Sequence, residues 1–413
     1  MKRVTIIGAG PSGLMAAIMI KSLAKEKNEK VEVTILEKNE RVGKKILSTG
    51  NGKCNFTNIN VNPKYYNDAL FVKPIIDSFT PNDLQTWFAK RGLLSKVDSE
   101  GRVYPITENA SSVLDILRIE LEKHEVKVIH SFSVNKLKKK GNGYIISDGK
   151  NSIFTDILII STGGQAAPVL GSTGDAVKLL DEFGVTFTKR YPGLVGLKTA
   201  KEDIKGLSGL RMKAEVTLVD NETEVFKEKG EIQFKDDGIS GIVVMNATSK
   251  LVRNHTLKMY IDFLPTLEVE EITEYIKNKQ VNYGNFEILN LLIGLVPNVF
   301  GIKILKDLGI NSTLKIKHLE KSAILKIASI LKRYKIHFIS PYGYDRAQVT
   351  VGGIDLKEVN ENLELLKLAN TYVCGEVLDI DGLCGGYNLH FAFASAMYVS
   401  RKVVEQLWKK VMK

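Results

Sequence analysis

The chain has 413 residues, of which 44% are hydrophobic and 25% charged, with a formal net charge of +11. At about 150 residues per domain this suggests about three domains, enough to bury a large core without disulfides or metal. The composition excludes wholesale disorder, collagen-like repeats and a polytopic membrane protein. Three cysteines, Cys54, Cys374 and Cys384, are too few for a disulfide framework and fit a reducing compartment.

In chain order, residues 4–7 read as a short buried strand, residues 8–13 as a tight turn, and residues 14–25 as a helix rich in small residues. A second strand over residues 31–36 ends at Glu37 and completes a βαβ unit. Lys2 and Arg3 followed by an uncharged run to Ile20 mimic a signal peptide, but Gly8, Gly10, Pro11 and Gly13 interrupt it. The expectation is a cytoplasmic protein with no membrane association. Residues 43–58 form a polar loop. Residues 81–91 read as a helix capped by Thr80, residues 96–105 as a hairpin turning at Glu100-Gly101, and residues 111–123 as an amphipathic helix. Strands follow at 126–129, 134–138, 144–147 and 157–161. From about Tyr191 to Phe263 short alternating runs suggest antiparallel β structure. Residues 267–308 read as helical. Strand-like runs return at 337–339 and 347–351, with a strand at 372–374 and a final helix over about 389–410.

The lysines are spread along the chain. The densest cluster is Lys136 with Lys138, Lys139 and Lys140, at what reads as a hairpin tip. No aromatic residue interleaves with it, so it reads as a solvated turn rather than a nucleic-acid surface.

The 34 glycines are the excess with chemical content. Gly8-x-Gly10-x-x-Gly13 follows a strand and opens a helix. In that setting the first glycine allows the turn, the second lets backbone approach a pyrophosphate, and the third lets helix and sheet pack closely. The phosphates then meet free N–H groups at the helix start, through Pro11, Ser12 and Gly13. Glu37, closing the second strand, can accept hydrogen bonds from adenosine ribose hydroxyls and argues against a 2′-phosphate there. Three later features favour FAD over NAD. They are the loop from Arg41 through Lys44 to Asn55, which includes Gly50, Asn51, Gly52, Lys53 and Cys54; the strand end Thr162-Gly163-Gly164; and the run from Gly375-Glu376 through Asp379 to Gly385-Gly386-Tyr387-Asn388, followed by a helix.

These stretches, with Gly101 to Pro105, Gly171-Ser172-Thr173-Gly174-Asp175, Gly238-Ile239-Ser240-Gly241 and Val349 to Ile354, resemble the bacterial YhiN/BaiN-like flavoproteins, also known as the aminoacetone oxidase family of FAD-binding enzymes. More distantly the chain is similar to fumarate-reductase-type and ketosteroid-dehydrogenase-type flavoproteins. The resemblance implies an α/β fold: a Rossmann-type FAD-binding domain (residues 1–190 and 346–413), split by a β-barrel-like domain (191–265 and 320–345) that carries a helical insertion (266–319). It implies that Asn51, Gly52 and Lys53 lie along one flavin edge, and it puts Lys38, Lys44, Gly174, Asp175 and Asp379 among the cofactor-binding residues. Glu376 is expected at ribityl hydroxyls or, through water, at the pyrophosphate. The helix after Asn388 would point its positive end at the flavin.

The chain also departs from that pattern. The middle-domain motif reads Lys235-Asp236-Asp237-Gly238-Ile239-Ser240-Gly241-Ile242, without the family's His and Pro. His390 stands where Gln is expected, and Lys53 where Arg is frequent. His390 reads either as a proton donor or as a histidine packed against the cofactor or its domain. Cys54 reads either as a redox-active thiol or as a quiet packed one. With Tyr342, Tyr344 and Arg346 they make up the candidates for chemistry. No metal site is expected. The reaction implied is hydride transfer between flavin N5 and a small organic substrate lying between the two domains, with NAD(P)H as a candidate electron donor although no second dinucleotide fingerprint exists. A flavoprotein acting on tRNA or other nucleic acid is the alternative, less favoured because no binding extension is evident. A non-catalytic flavin sensor is the third reading.

Overall fold

The computed structural model describes residues 1–409. The chain divides into two compact units. One comprises Met1–Pro192 and the chain from Gly343 onward, the other Gly193–Tyr342.

The first unit is built on a five-stranded parallel sheet. Its strands lie in the order Thr371–Val373, Ile157–Ile160, Lys2–Ile7 (β1), Val31–Leu36 (β2) and Lys127–Ile129. The apolar runs in these strands suit a sheet covered on both faces: Val4 to Ile7 and Ile157 to Ile160 are all buried. Between β1 and β2 lies the helix Pro11–Glu26 (α1), whose residues from Ser12 to Ile20 are buried without a break. The small side chains of its first half let the long helix Tyr387–Lys409 pack along it, and there Ser400 Oγ donates to Ala16 O at 3.2 Å. The end expected for that helix at Lys410 lies outside the described residues.

Two small antiparallel sheets complete the unit. One joins Thr57–Asn58, Arg102–Pro105 and Ser95–Val97; the other joins Lys136–Lys140, Gly143–Ser147 and Ser152–Thr155. The lysine strand begins two residues later than its composition suggests. The expected loop at 43–58 contains a helical turn, Lys44–Ser48, and a 3-10 turn, Thr49–Gly52. A helix at Ala69–Asp77, capped by Asp68, has no counterpart in the sequence reading, because Pro74 inside it reads as a breaker.

The second unit carries a seven-stranded antiparallel sheet. Its order is Tyr334–Ile336, Lys258–Asp262, Arg211–Asp220, Thr223–Phe234, Gly238–Ser240, Leu197–Thr199 and Phe338–Pro341. Among the described residues this sheet forms no closed barrel. The edge strands Tyr334–Ile336 and Phe338–Pro341 are separated in sequence only by His337, so one run of chain pairs at both ends of the sheet without a ladder between them. The stretch expected to be wholly β also contains the helix Ile242–Arg253. Its β-branched start reads as strand, yet Val243, Ala247 and Leu251 recur at helical spacing and are fully buried. Gly230 in the adjacent strand lets it close in, as a Cβ there would stand 3.1 Å from Val243 Cβ. The helices Val269–Tyr283, Asn298–Asp307 and Lys321–Lys332 share one apolar core with the sheet, where Phe263 and Phe300 meet with ring centroids 4.3 Å apart. No helix among the described residues is long and apolar enough to cross a membrane.

Candidate functional site

The glycine-rich turn of the first unit has the close contacts that a dinucleotide loop needs. Gly8 has φ +104°, and a Cβ on it would approach Ser161 O to 2.5 Å. A Cβ on Gly13 would sit 1.9 Å from Gly8 O, which rules out any side chain at that helix–strand contact. Gly10 is different: no atom lies within 4 Å of where its Cβ would be, so the backbone there fronts open space. Helix α1 starts at Pro11 with no side-chain cap and no acid in its first turn. Its first N–H groups are therefore left for an anion.

Glu37 is 7% exposed at the end of β2. One carboxylate oxygen accepts from Ala9 N at 2.9 Å, the other from Asn39 N at 2.8 Å and Asn39 Nδ2 at 2.7 Å. Two oxygens offer about four acceptor sites, so one remains for a ribose hydroxyl. Asn39 links this corner to Lys44, whose Nζ is 3.5 Å from Asn39 Oδ1, and it also packs on Gly171. Lys38 pairs with Asp175 at 2.6 Å and bonds Thr173, so these two cofactor candidates meet each other. Gly174 precedes Asp175 in left-handed geometry as the helix N-cap.

Glu376 is half committed. One oxygen accepts from Lys45 Nζ at 2.7 Å, the other from Thr350 N at 2.8 Å. It stands beside Gly164, where a Cβ would come within 3.0 Å of it. Thr162 Oγ1, on the same strand end as Gly163 and Gly164, is buried with no hydrogen-bond partner.

The turns expected around the flavin ring do converge. A Cβ on Gly386 (φ +98°) would meet Thr57 O at 2.4 Å and Asn55 Oδ1 at 2.8 Å. A Cβ on Gly50 would stand 2.8 Å from Asn55 N. Asn58 Nδ2 donates to Gly385 O at 3.0 Å. Gly50 and Asn51 are both left-handed, as are Gly52 and Cys54. Asn55 Oδ1 is buried without a partner. An unpaired buried amide oxygen is costly in a finished protein, and the ring N3–H of a flavin is a donor of suitable chemistry. The fit to FAD thus rests on two orphaned acceptors, Asn55 and Thr162, and on glycines that any side chain would block.

Several candidates sit elsewhere than their chemistry would require. Cys54 is 0% exposed, and burial pushes its thiol up to about 12, Thr49 opposing in part. It is a packed thiol and forms no thiolate near neutrality. His390 is also 0% exposed, with Nδ1 2.9 Å from Thr57 Oγ1 and Nε2 without a hydrogen-bond partner. Burial drives its pKa down to about 4, against a smaller pull from the Phe79 backbone. A histidine so buried favours the neutral form, and its side-chain partner is Thr57. Asn388 spends its amide on Gly382 N, Gly382 O and Leu383 O, closing its own loop. Tyr387 is 8% exposed, and its carbonyl accepts from Tyr66 OH at 2.8 Å. Asp379 borders a hollow of about 380 Å³ with Asn67, Asp68, Asp355, Leu356 and Lys357, none of them in the glycine turns. Lys53 pairs at the surface with Glu108 at 3.3 Å. Tyr342, in the second unit, bonds Asp237. Tyr344 accepts from Ala167 N through its carbonyl, and burial raises its phenol pKa. Arg346 is exposed beside Asp345.

Asn55, Asn58, Arg102 and Tyr104 were missed as site residues. Arg102 and Tyr104 alternate with buried Val103 and Pro105 along one strand, so they share its other face. Tyr104 Cε1 lies 3.5 Å from a Cβ built on Gly50, and Arg102 Cγ 3.8 Å from one on Gly385. That alternation was legible; the turns it faces were not. Among the described residues no three His, Cys, Asp or Glu side chains gather as a metal site would need.

Comparison with known proteins agrees with this geometry. The model of the HI0933-like protein Rossmann domain matches residues 2–402. The chain is 31% identical to the 3-dehydro-bile acid delta(4,6)-reductase of Clostridium scindens, over 98% of this chain and 100% of that protein. It is 26% identical to the ribosomal RNA dihydrouridine synthase of Haemophilus influenzae, over 97% and 98%. In structure it is similar to 3-ketosteroid delta1-dehydrogenase from Sterolibacterium denitrificans, with a TM-score of 0.50, 10% identity and coverage of 98% and 100%. The chain belongs to the HI0933-like family of Rossmann-fold, FAD-dependent bacterial oxidoreductases.

Proposed function

We propose that the protein reduces a carbon–carbon double bond conjugated with a carbonyl group. The observation that carries this reading is the shared chemistry of two full-length relatives. A delta(4,6)-reductase of a 3-dehydro bile acid saturates alkenes in line with a ketone, and dihydrouridine is uridine with the alkene beside its carbonyl saturated. Bound FAD, once reduced, would supply the hydride in such a reaction, and a proton from solvent would complete the saturation.

The chain's own residues supply position and environment. Glu37 and the start of α1 hold the adenosine and pyrophosphate ends, while Thr162, Asn55 and the Gly385-Gly386 backbone receive the ring end. His390, neutral and tied to Thr57, keeps that wall rigid and sheds no proton into it. A reduced nicotinamide dinucleotide is the proposed electron donor, docking transiently. Three cysteines, too few for a disulfide framework, fit a reducing cytoplasm.

The test is anaerobic. The FAD-loaded protein is reduced with NADH or NADPH, then mixed with conjugated enones, their saturated analogues and uridine-containing RNA. Recovery of oxidised-flavin absorbance with a conjugated acceptor, and none with its saturated analogue, is the expected result. Recovery only with oxygen would defeat the proposal.

A further inference from the structure

The helix Val269–Tyr283 changes character along its length. Its first turn carries Glu270 and Glu271, whereas residues 275–286 hold Lys277 and Lys279 and no acid. Farther along the chain, residues 311–319 hold Lys315, Lys317 and His318, again with no acid. Backbone bonds knit these two stretches into one corner of the second unit. Lys317 N donates to Gly284 O at 2.9 Å, and Ile316 N to Phe286 O at 3.0 Å. Gln280 closes the corner from the helix, its Nε2 donating to Leu319 O at 2.8 Å.

Three large apolar side chains stand out from this corner. Val281 is 82% exposed, Phe286 58% and Tyr283 49%. None of the three joins the apolar core that Ile272 and Ile276 of the same helix help to fill. The Tyr283 and Phe286 rings meet edge to face with centroids 6.0 Å apart, which makes one raised apolar edge. Lysines surround it. Lys279 Nζ lies 4.7 Å over the Tyr283 ring, and Lys317 Nζ bonds Asn285 Oδ1 at 2.8 Å. Lys277 stands one turn before Val281 on the helix, and Lys315 opposes Glu287. Glu287 and Glu320 flank the corner, against four lysines within it.

We propose that this corner docks the protein on an anionic lipid surface, with the apolar edge entering the headgroup region and the lysines meeting lipid phosphates. Charge complementarity and protrusion together select that occupant, because an anionic bilayer offers negative charge and apolar depth at one place. A nucleic acid would pair with the lysines through its phosphates and leave Val281 in water. A second copy meeting this corner across a two-fold axis would set four lysines against four. The contact is interfacial, since no helix among the described residues is long and apolar enough to span a membrane.

The experiment is flotation of the FAD-loaded protein with vesicles of phosphatidylglycerol and phosphatidylcholine in equal parts, and with pure phosphatidylcholine, across a lipid series. One variant, Val281→Ser with Phe286→Ser, removes the apolar edge. A second, Lys277→Gln with Lys315→Gln, removes two charges. The control, Leu70→Ser with Val169→Ser, removes two apolar side chains of the first unit that are 87% and 84% exposed. Far-UV circular dichroism and bound FAD verify that each variant folds. The native protein is expected to float with the mixed vesicles and not with pure phosphatidylcholine. The apolar double should lower partitioning about tenfold or more, since affinity scales with the apolar area that enters the bilayer. The lysine double should lower it about 25-fold, at about fivefold per lysine, and added salt should do the same to the native protein. The control should partition as the native protein does. No flotation of the native protein, equal flotation with pure phosphatidylcholine, equal loss in the control, or native flotation by either corner variant would each overturn the proposal. A native dimer in light scattering that the apolar double turns into a monomer, or single-stranded RNA bound more tightly than the vesicles and released by the lysine double, would overturn it as well.

Discussion

Replacing His390 by Gln should remove that residue's share of the protein's acid sensitivity between pH 6.5 and 4. The folded histidine has its pKa lowered to about 4 by burial, against 6.5 when solvated. A depressed folded pKa means the unfolded chain binds the proton more readily. The stability linked to His390 is thus fully present above about pH 6.5 and is lost as pH falls toward 4. Worked through the linkage relation, the loss is about 2 kcal/mol at pH 5 and about 3 kcal/mol at pH 4. Gln can keep a hydrogen bond to Thr57 Oγ1 and does not titrate. The assay is urea unfolding, followed by tryptophan fluorescence, at half-unit pH steps for the native protein and the variant, with and without FAD. His124, also lowered by burial, is common to both and cancels in the difference. Parallel stability-versus-pH curves for the two proteins would refute the reasoning, since they would mean that His390 titrates alike in the folded and the unfolded chain.

Glu37→Arg should weaken FAD by a factor of about 10 to 100, since it removes the acceptor for Ala9 N and an acceptor for the ribose, about 1–3 kcal/mol; equilibrium dialysis with FAD checks this, and unchanged retention would exclude the role. Gly386→Ala adds a Cβ against Thr57 O at a left-handed position, a strain of about 1–3 kcal/mol. It should lower flavin occupancy and alter the flavin's visible circular dichroism, while the far-UV circular dichroism stays unchanged. Cys54→Ala should leave flavin reduction rates within about twofold, and the native thiol should resist iodoacetamide at pH 8, because only the thiolate is alkylated and burial keeps it protonated. Peptide-level mass spectrometry reads the second part directly, because it separates Cys54 from the partly exposed Cys384.

What could be seen in the sequence was what is local. The βαβ start, its glycine spacing and Glu37 lie within the first 37 residues, and their spacing alone states their geometry. The FAD cradle was legible turn by turn, because Gly50, Gly163 and Gly385 each carry their own backbone requirement. The pairing of turns was not. Asn55 gains its meaning only from Gly386, and Tyr104 only from Gly50. His390 could be read as an acid or as packing from its position, and its complete burial beside Thr57 was not legible in the sequence. The open sheet of the second unit escaped for a similar reason. A single residue, His337, separates its two edges, and no local pattern shows that a strand has changed partners.

The seam between Asn58 and Gly385 joins residues 327 positions apart. Chains are synthesised at about 5–20 residues per second, so the Gly385 side of the flavin cradle follows the Asn58 side by roughly 15 to 65 s. Through that interval the parallel sheet lacks its Thr371–Val373 edge, and α1 lacks the helix that covers it. The two sides of this seam can therefore pair only once nearly the whole chain has been made.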